Sequence, residues 1–172
     1  VLMTYPRFFD DRGFLAETYS RPKLLEHGIS IDFVQDNHSR SRRGILRGLH
    51  FQTQQTQGKL VRVINGSVFD VAVDLRSNSA TFGQWFGCLL SAENKTQLWV
   101  PPGFAHGFYV VSEFADFLYK CTDYYHPESE LSLAWDDADV NIQWPLVDGE
   151  APELSDKDAN ALSWSEVPKF DL

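Results

Sequence analysis

His50 stands inside the stretch Gly44–Arg62, GILRGLHFQTQQTQGKLVR, with Leu49 and Phe51 on either side. Arg47 lies three residues before it and Lys59 nine after. An imidazole can take a proton near neutral pH, and fixed cations can hold the charged end of an anionic substrate. The same residues also read as a strand histidine with two solvated cations. On a strand the His50 side chain points to one face only. On the inward face of a barrel it would sit in a dry pocket, where a carboxylate could hold the ring and stabilise its protonated form. Asp70, Asp74 and Asp158 are the candidates, and spacing does not choose among them. Asp158 has a second reading, because Ser155-x-x-Asp158 resembles a capping box at a helix start. A phenol stays protonated at neutral pH, so Tyr119, in the strand-like run Phe117–Lys120, could act as the acid opposite a histidine base. Tyr124 and Tyr125 compete for that role. Arg12, Arg47, Lys59 and Lys157 read either as scattered surface cations or as a set converging on phosphates.

A metal site is the rival chemistry. Pro101–His106, PPGFAH, has the look of the second cupin motif, P-x-G-x-x-H. The first cupin motif should supply a histidine pair, H-x-H, and here it reads His50-Phe51-Gln52. A zinc or iron site generally needs at least three protein ligands, and His50 and His106 alone fall short.

The elements that position these groups are short. Asn65-Gly66 between two apolar runs predicts a hairpin of strands over Lys59–Ile64 and Ser67–Leu75. Further strands are expected over Phe14–Tyr19, Ile31–Gln35, Ile45–Gln52, Thr81–Ser91, Gln97–Val100, Gly107–Val111 and Phe114–Asp123. Pro22–His27 reads as a short helix capped by Ser20 and ended by Gly28. A second short helix is expected over Ser155–Leu162. Ser39–Gly44, SRSRRG, reads as a solvated loop. No helix–strand alternation is present, which excludes a parallel α/β sheet and leaves a sandwich, jelly roll or small barrel.

The chain has 172 residues, enough for one domain with its own core, expected to span 1–172. Its net charge of −9 argues against a nucleic-acid or membrane-surface partner. No apolar run approaches the roughly 20 residues that cross a bilayer. Cys88 and Cys121 share no metal-type spacing and read as buried thiols, so the expected compartment is the cytoplasm.

At these residues the chain resembles the dTDP-4-dehydrorhamnose 3,5-epimerase family, sugar-nucleotide epimerases with a cupin-type jelly roll. The matching segments run across nearly the whole chain: DDRGF (10–14), FVQDNHS (33–39), GILRGLHFQ (44–52), QGKLVRV (57–63), FDVAVDLR (69–76), TFGQW (81–85), LSAENKTQLWVPPGFAHGF (90–108), FLYKCTDYY (117–125) and LSDKD (154–158). The resemblance implies an all-β, cupin-type jelly roll with a few short peripheral helices. It implies His50 as proton acceptor, Asp158 as its partner and Tyr119 as proton donor on the other face of the sugar. Lys59 would face the enolate oxygen or a phosphate. Arg12, Glu17, Gln35, Asn37, Arg47, His106, Glu130 and Lys157 match positions that hold nucleotide, diphosphate or sugar. The family works as homodimers with exchanged N-terminal strands and uses no metal or redox cofactor.

Three places depart from the family pattern. Glu130-Leu131-Ser132 stands where an acidic-Arg-Gly run is usual, so a cation near the ligand is expected to be lost. Thr53-Gln54-Gln55-Thr56 lacks the prolines common in that loop, and the N-terminal lead is short. The implied reaction inverts C3 and C5 of a dTDP-4-keto-6-deoxyhexose. The alternatives are a single-centre epimerase or ketoisomerase on a related sugar, a non-catalytic sugar-nucleotide-binding cupin, and a metal-dependent cupin oxygenase.

Overall fold

A computed structural model describes all residues, Val1–Leu172. Its strands are β1 (Leu2–Thr4), β2 (Arg7–Asp10), β3 (Gly13–Ala16), β4 (Gln35–Arg42), β5 (Leu46–Gln52), β6 (Lys59–Asn65), β7 (Ser67–Asp74), β8 (Trp85–Ser91), β9 (Thr96–Val100), β10 (Phe104–Val110), β11 (Phe114–Cys121) and β12 (Glu130–Ser132). Two short helices, α1 (Arg21–Glu26) and α2 (Asp156–Ala159), lie outside them. One antiparallel sheet has the order β1-β9-β6-β11-β4, the other β12-β5-β10-β7-β8. The two face each other as the cupin-type jelly roll that the strand pattern and the resemblance implied.

Period-2 alternation builds three apolar layers. Val61 and Val63 of β6, Leu98 of β9 and Phe117 of β11 meet Val68 and Ala72 of β7 and Phe108 and Val110 of β10 between the sheets. The outer face of the second sheet, with Leu49 and Phe51 of β5, is covered by the C-terminal segment through Val140, Ile142, Val167 and Phe170. The outer face of the first sheet holds Leu60 and Trp99, covered by Met3, Leu24 of α1 and Ile29. Leu49 and Phe51 therefore turn outward, which turns His50 and Gln52 to the barrel interior.

The hairpin expected at Asn65-Gly66 does not form: the pair makes a tight turn, with φ +71° at Gly66 alone, but β6 pairs with β9 and β11 in one sheet and β7 with β8 and β10 in the other, so the turn crosses between sheets. A Cβ there would overlap the Phe114 carbonyl oxygen, so glycine is required twice over. Several boundaries differ. Ser39–Gly44 is not a loop through most of its length: β4 runs to Arg42, and Ser41 is buried. Its odd positions, Gln35, Asn37, Ser39 and Ser41, are more buried than its even ones, so an edge strand polar on both faces hides its period. Ile31–Val34 is not a paired strand. The first helix makes no side-chain cap at Ser20, and the second spans Asp156–Ala159 rather than eight residues. The strand expected from Thr81 begins at Trp85, because the Ser79 and Thr81 hydroxyls turn back to the buried Asp74 carboxylate. The Pro101–Gly103 turn delivers His106 from β10, a strand longer at its start than expected.

Candidate active site

The barrel encloses a cavity of about 390 Å³ whose wall includes His50, Lys59, His106 and Tyr119. β5 carries His50 and β10 carries His106 at paired positions, so the two imidazoles lie on adjacent strands of one sheet. Tyr119 comes from β11 of the opposite sheet, paired with Asn37 of β4. The cavity thus has a histidine wall and a phenol wall.

Each histidine is held by a different carboxylate. His50 Nε2 lies 2.6 Å from Asp158 Oδ1, and His106 Nε2 lies 3.0 Å from both Asp70 oxygens. Asp158 is thereby chosen from the three candidates, while Asp70 serves His106 and Asp74 binds Arg76, Ser79 and Thr81. Only half of the expected capping box forms, because the Asp158 side chain is committed to His50. Its backbone N–H donates to Ser155 Oγ as an N-cap, and its carboxylate leaves the helix for His50. Burial works to raise the Asp158 carboxyl. The His50 hydrogen bond and charge, with help from Ser155 and the Gly48 N–H, outweigh it and hold the group below the usual carboxylate range.

Tyr119 is pushed up to about 12, chiefly by burial and further by the negative field of Cys121 and Glu130. It is a firmly protonated phenol. Burial pushes the Lys59 ammonium down, against the pull of Cys121, Glu130 and Asp70. Arg47 Nε donates to Ser41 Oγ at 2.9 Å, which aims the guanidinium along the cavity. Lys157 pairs with Glu130, whose other partner is the Tyr125 hydroxyl at 2.8 Å. Burial would raise Glu130, but Lys157 and Tyr125 hold it below its ordinary value. Asp158 and Asp70 each face a histidine and Glu130 faces Lys157, whereas Arg47 and Lys59 make no ion pair and are the cations left to meet an anionic group. No group of three or more His, Cys, Asp or Glu side chains converges to hold a metal ion.

Of the residues assigned to ligand binding, Gln35, Asn37, Arg47, His106, Glu130 and Lys157 all line this cavity. Arg12 and Glu17 do not. Arg12 sits at the tip of the β2–β3 hairpin against Asp10, and Glu17 pairs with Lys23. The hairpin pairs only with itself, which carries Arg12 away from the barrel, while Glu17, just beyond β3, lies near Met3 and Gln97 on the outer side of the first sheet. The departure at Leu131 is also re-read. Leu131 pairs with Phe51 and packs against the C-terminal layer, so its side chain lies on the sheet face opposite His50 and removes no cation from the cavity. Ser39, Gln57 and Tyr125 line the cavity as well. The alternate polar positions 35, 37, 39 and 41 were the signal that could have found Ser39.

Fold and site together define a class: a cupin-type jelly roll with a histidine–carboxylate pair across its cavity from a buried phenol. The profile described as dTDP-4-dehydrorhamnose 3,5-epimerase matches residues 1–166. The dTDP-4-dehydrorhamnose 3,5-epimerase of Pseudomonas aeruginosa is 56% identical over 172 residues, covering 99% of this chain and 94% of that protein. The enzyme of the same name from Escherichia coli is 52% identical over 176 residues, covering 100% and 94%. A crystal structure of the dTDP-6-deoxy-D-glucose-3,5-epimerase of Legionella pneumophila, in complex with dTDP-4-keto-L-rhamnose, superposes with a TM-score of 0.93 at 56% identity, covering 97% of this chain and 88% of that one. The chain belongs to the dTDP-4-dehydrorhamnose 3,5-epimerase family.

Proposed function

We propose that this chain inverts C3 and C5 of dTDP-4-keto-6-deoxyglucose, giving dTDP-4-keto-L-rhamnose. The observation that carries the reading is the placement of the His50–Asp158 pair and Tyr119 on opposing walls of one cavity. The C4 ketone acidifies the C–H bonds at C3 and C5. In a gluco-configured chair both hydrogens are axial on the same face, so one base reaches both centres. His50 removes the proton, and Asp158 stabilises the imidazolium that forms. Imidazole is a far weaker base than an enolate, and each pKa unit of mismatch costs about 1.4 kcal/mol. The developing oxyanion therefore needs a cation in a water-poor site, and Lys59 supplies it. Tyr119 then returns a proton from the opposite face, which inverts the centre. The elevated Tyr119 pKa suits this step, because it keeps the phenol protonated until a strongly basic carbon arrives.

Arg47 and Lys157 bind the negatively charged nucleotide portion, with Gln35, Asn37, His106 and Glu130 orienting nucleotide or sugar. The working unit is a homodimer with exchanged N-terminal strands in the cytoplasm. Support comes from the β2–β3 hairpin, whose Phe8, Phe9, Phe14 and Leu15 are all exposed on this chain. A second copy covers them and receives Arg12 and Glu17 beside its cavity. The test is NMR of dTDP-4-keto-6-deoxyglucose incubated with the protein in D2O. Deuterium at C3 and C5 with rhamno-configured product is expected. Deuterium at one carbon would convert the assignment to a single-centre epimerase, and none at either would leave a binding protein.

A further inference from the structure

We propose that Gln52 is a positioning residue for ligand binding, acting through Tyr125 at the rim of the cavity. The inference rests on the nucleotide-sugar reading above. Gln52 shares the inward side of β5 with His50, but it is buried and does not line the cavity. A buried carboxamide is costly unless its groups are bonded, and this one is fully used. Its Nε2 donates to the Gln55 carbonyl at 2.8 Å and to the Tyr124 carbonyl at 3.2 Å. Its Oε1 accepts the His126 N–H at 3.1 Å. A carbonyl only accepts and an N–H only donates, so these partners fix which end of the amide is which.

The amide holds a segment with no ladder of its own. β11 ends at Cys121 and β12 begins at Glu130, and Tyr124–His126 lies in neither strand nor helix. Gln52 bonds the residues on both sides of Tyr125, and Gln35 Oε1, from β4 in the opposite sheet, accepts the Tyr125 N–H at 2.9 Å. Two glutamine side chains thus strap three successive residues between the sheets. The Tyr125 backbone is fixed, while its side chain is exposed and lines the cavity. Its hydroxyl donates to Glu130 Oε2 at 2.8 Å, and Glu130 pairs with Lys157. A displaced Tyr125 therefore moves a ring and, through Glu130, the cation assigned to the nucleotide portion. His50, Asp158 and Tyr119 make no hydrogen bond to Gln52, so its influence falls on affinity and not on proton transfer.

The test is Gln52→Met, alone and combined with Tyr125→Ala, read by calorimetric titration with dTDP, by thermal melting and by deuterium entry at saturating substrate. In the parent background Gln52→Met is expected to weaken dTDP binding about 5- to 10-fold, the scale of one neutral hydrogen bond. The saturated exchange rate should stay within about threefold of the parent's. In the Tyr125→Ala background the same change should weaken dTDP no further, because the group it positions is gone. Gln52→Asn keeps a carboxamide that is one methylene too short to span both partners; it should act in the same direction, and it stands in if Gln52→Met does not fold. Equal weakening in both backgrounds would place the effect elsewhere and overturn the inference. So would a lowered melting temperature with dTDP affinity unchanged, or a saturated exchange rate that falls along with the affinity. If the parent protein binds no dTDP, the nucleotide-sugar reading itself falls.

Discussion

Replacing Asp158 by Asn separates its two duties. The Asp158 carboxylate is buried and meets His50 Nε2 at 2.6 Å, while its backbone N–H caps α2 through Ser155. Asparagine keeps an acceptor of similar shape and leaves the backbone cap untouched, so charge is the main thing lost. A hydrogen bond to a charged group contributes about 1.5–3 kcal/mol. In the proposed mechanism that contribution is fully developed only when His50 is protonated, which is when the transition state is reached. At about 1.4 kcal/mol per factor of ten, kcat should fall about 10- to 100-fold with KM little changed. The assay is the initial rate of deuterium entry at C3 and C5, followed by NMR at saturating substrate. The companion Ser155→Ala loses the cap and should cost about 1 kcal/mol of stability while leaving exchange within about threefold of the parent. If Asp158→Asn exchanges as fast as the parent, and Ser155→Ala is the slower of the two, the cap matters more than the carboxylate and the dyad argument fails.

Tyr119→Phe should keep deuterium exchange, because His50 returns the label to the face it came from, while inversion slows about 10²- to 10⁴-fold; loss of exchange in that variant would undo the division of labour between the walls. Gly66→Ala should destabilise the protein by about 1–3 kcal/mol in urea unfolding, since the left-handed φ and the overlap with the Phe114 carbonyl oxygen act together; an unchanged midpoint would refute the clash. Stability should also fall with acid. Burial works to raise Asp74, but Arg76, Ser79 and Thr81 overcome it and hold the folded-state carboxyl far below the unfolded value of about 3.9. The unfolded chain then binds more protons in that window, so stability present above about pH 4 is lost as pH drops. Asp74→Asn should flatten that part of the stability-versus-pH curve, and an equally steep curve would assign it elsewhere.

The Asn65-Gly66 turn, the His50 strand and the PPGFAH turn were readable because each has a local physical signature: positive φ, alternating apolar flanks, or a backbone reversal. The pairing across the first of them was not, because β6 and β7 join opposite sheets instead of forming the expected hairpin. Neither was the β4 strand. QDNHSRSR carries no apolar residue on either face, since one side lines a polar cavity and the other carries Arg40 bonded to the Asp116 carboxylate. The carboxylate partners were equally hidden. His50–Asp158 spans 108 residues and His106–Asp70 spans 36, and no local pattern states which acid meets which ring. The family resemblance resolved the first of these pairings, and geometry supplied the second. It also showed position 131 facing away from the cavity, where the motif alone suggested a missing cation.

The docking of the C-terminal segment has a consequence for the order in which the site is made. Every other cavity-lining side chain up to Glu130 is in hand once β12 has been synthesised, yet Asp158 and Lys157 come from α2. That helix is held by the Leu133–Leu162 and Ile45–Glu153 bridges on either side of it and by Val167 and Phe170 beyond it. A nascent barrel would therefore carry an unassisted imidazole until the segment that follows β12 leaves the ribosome and settles on the second sheet. The dyad is assembled later than the barrel that holds its ring.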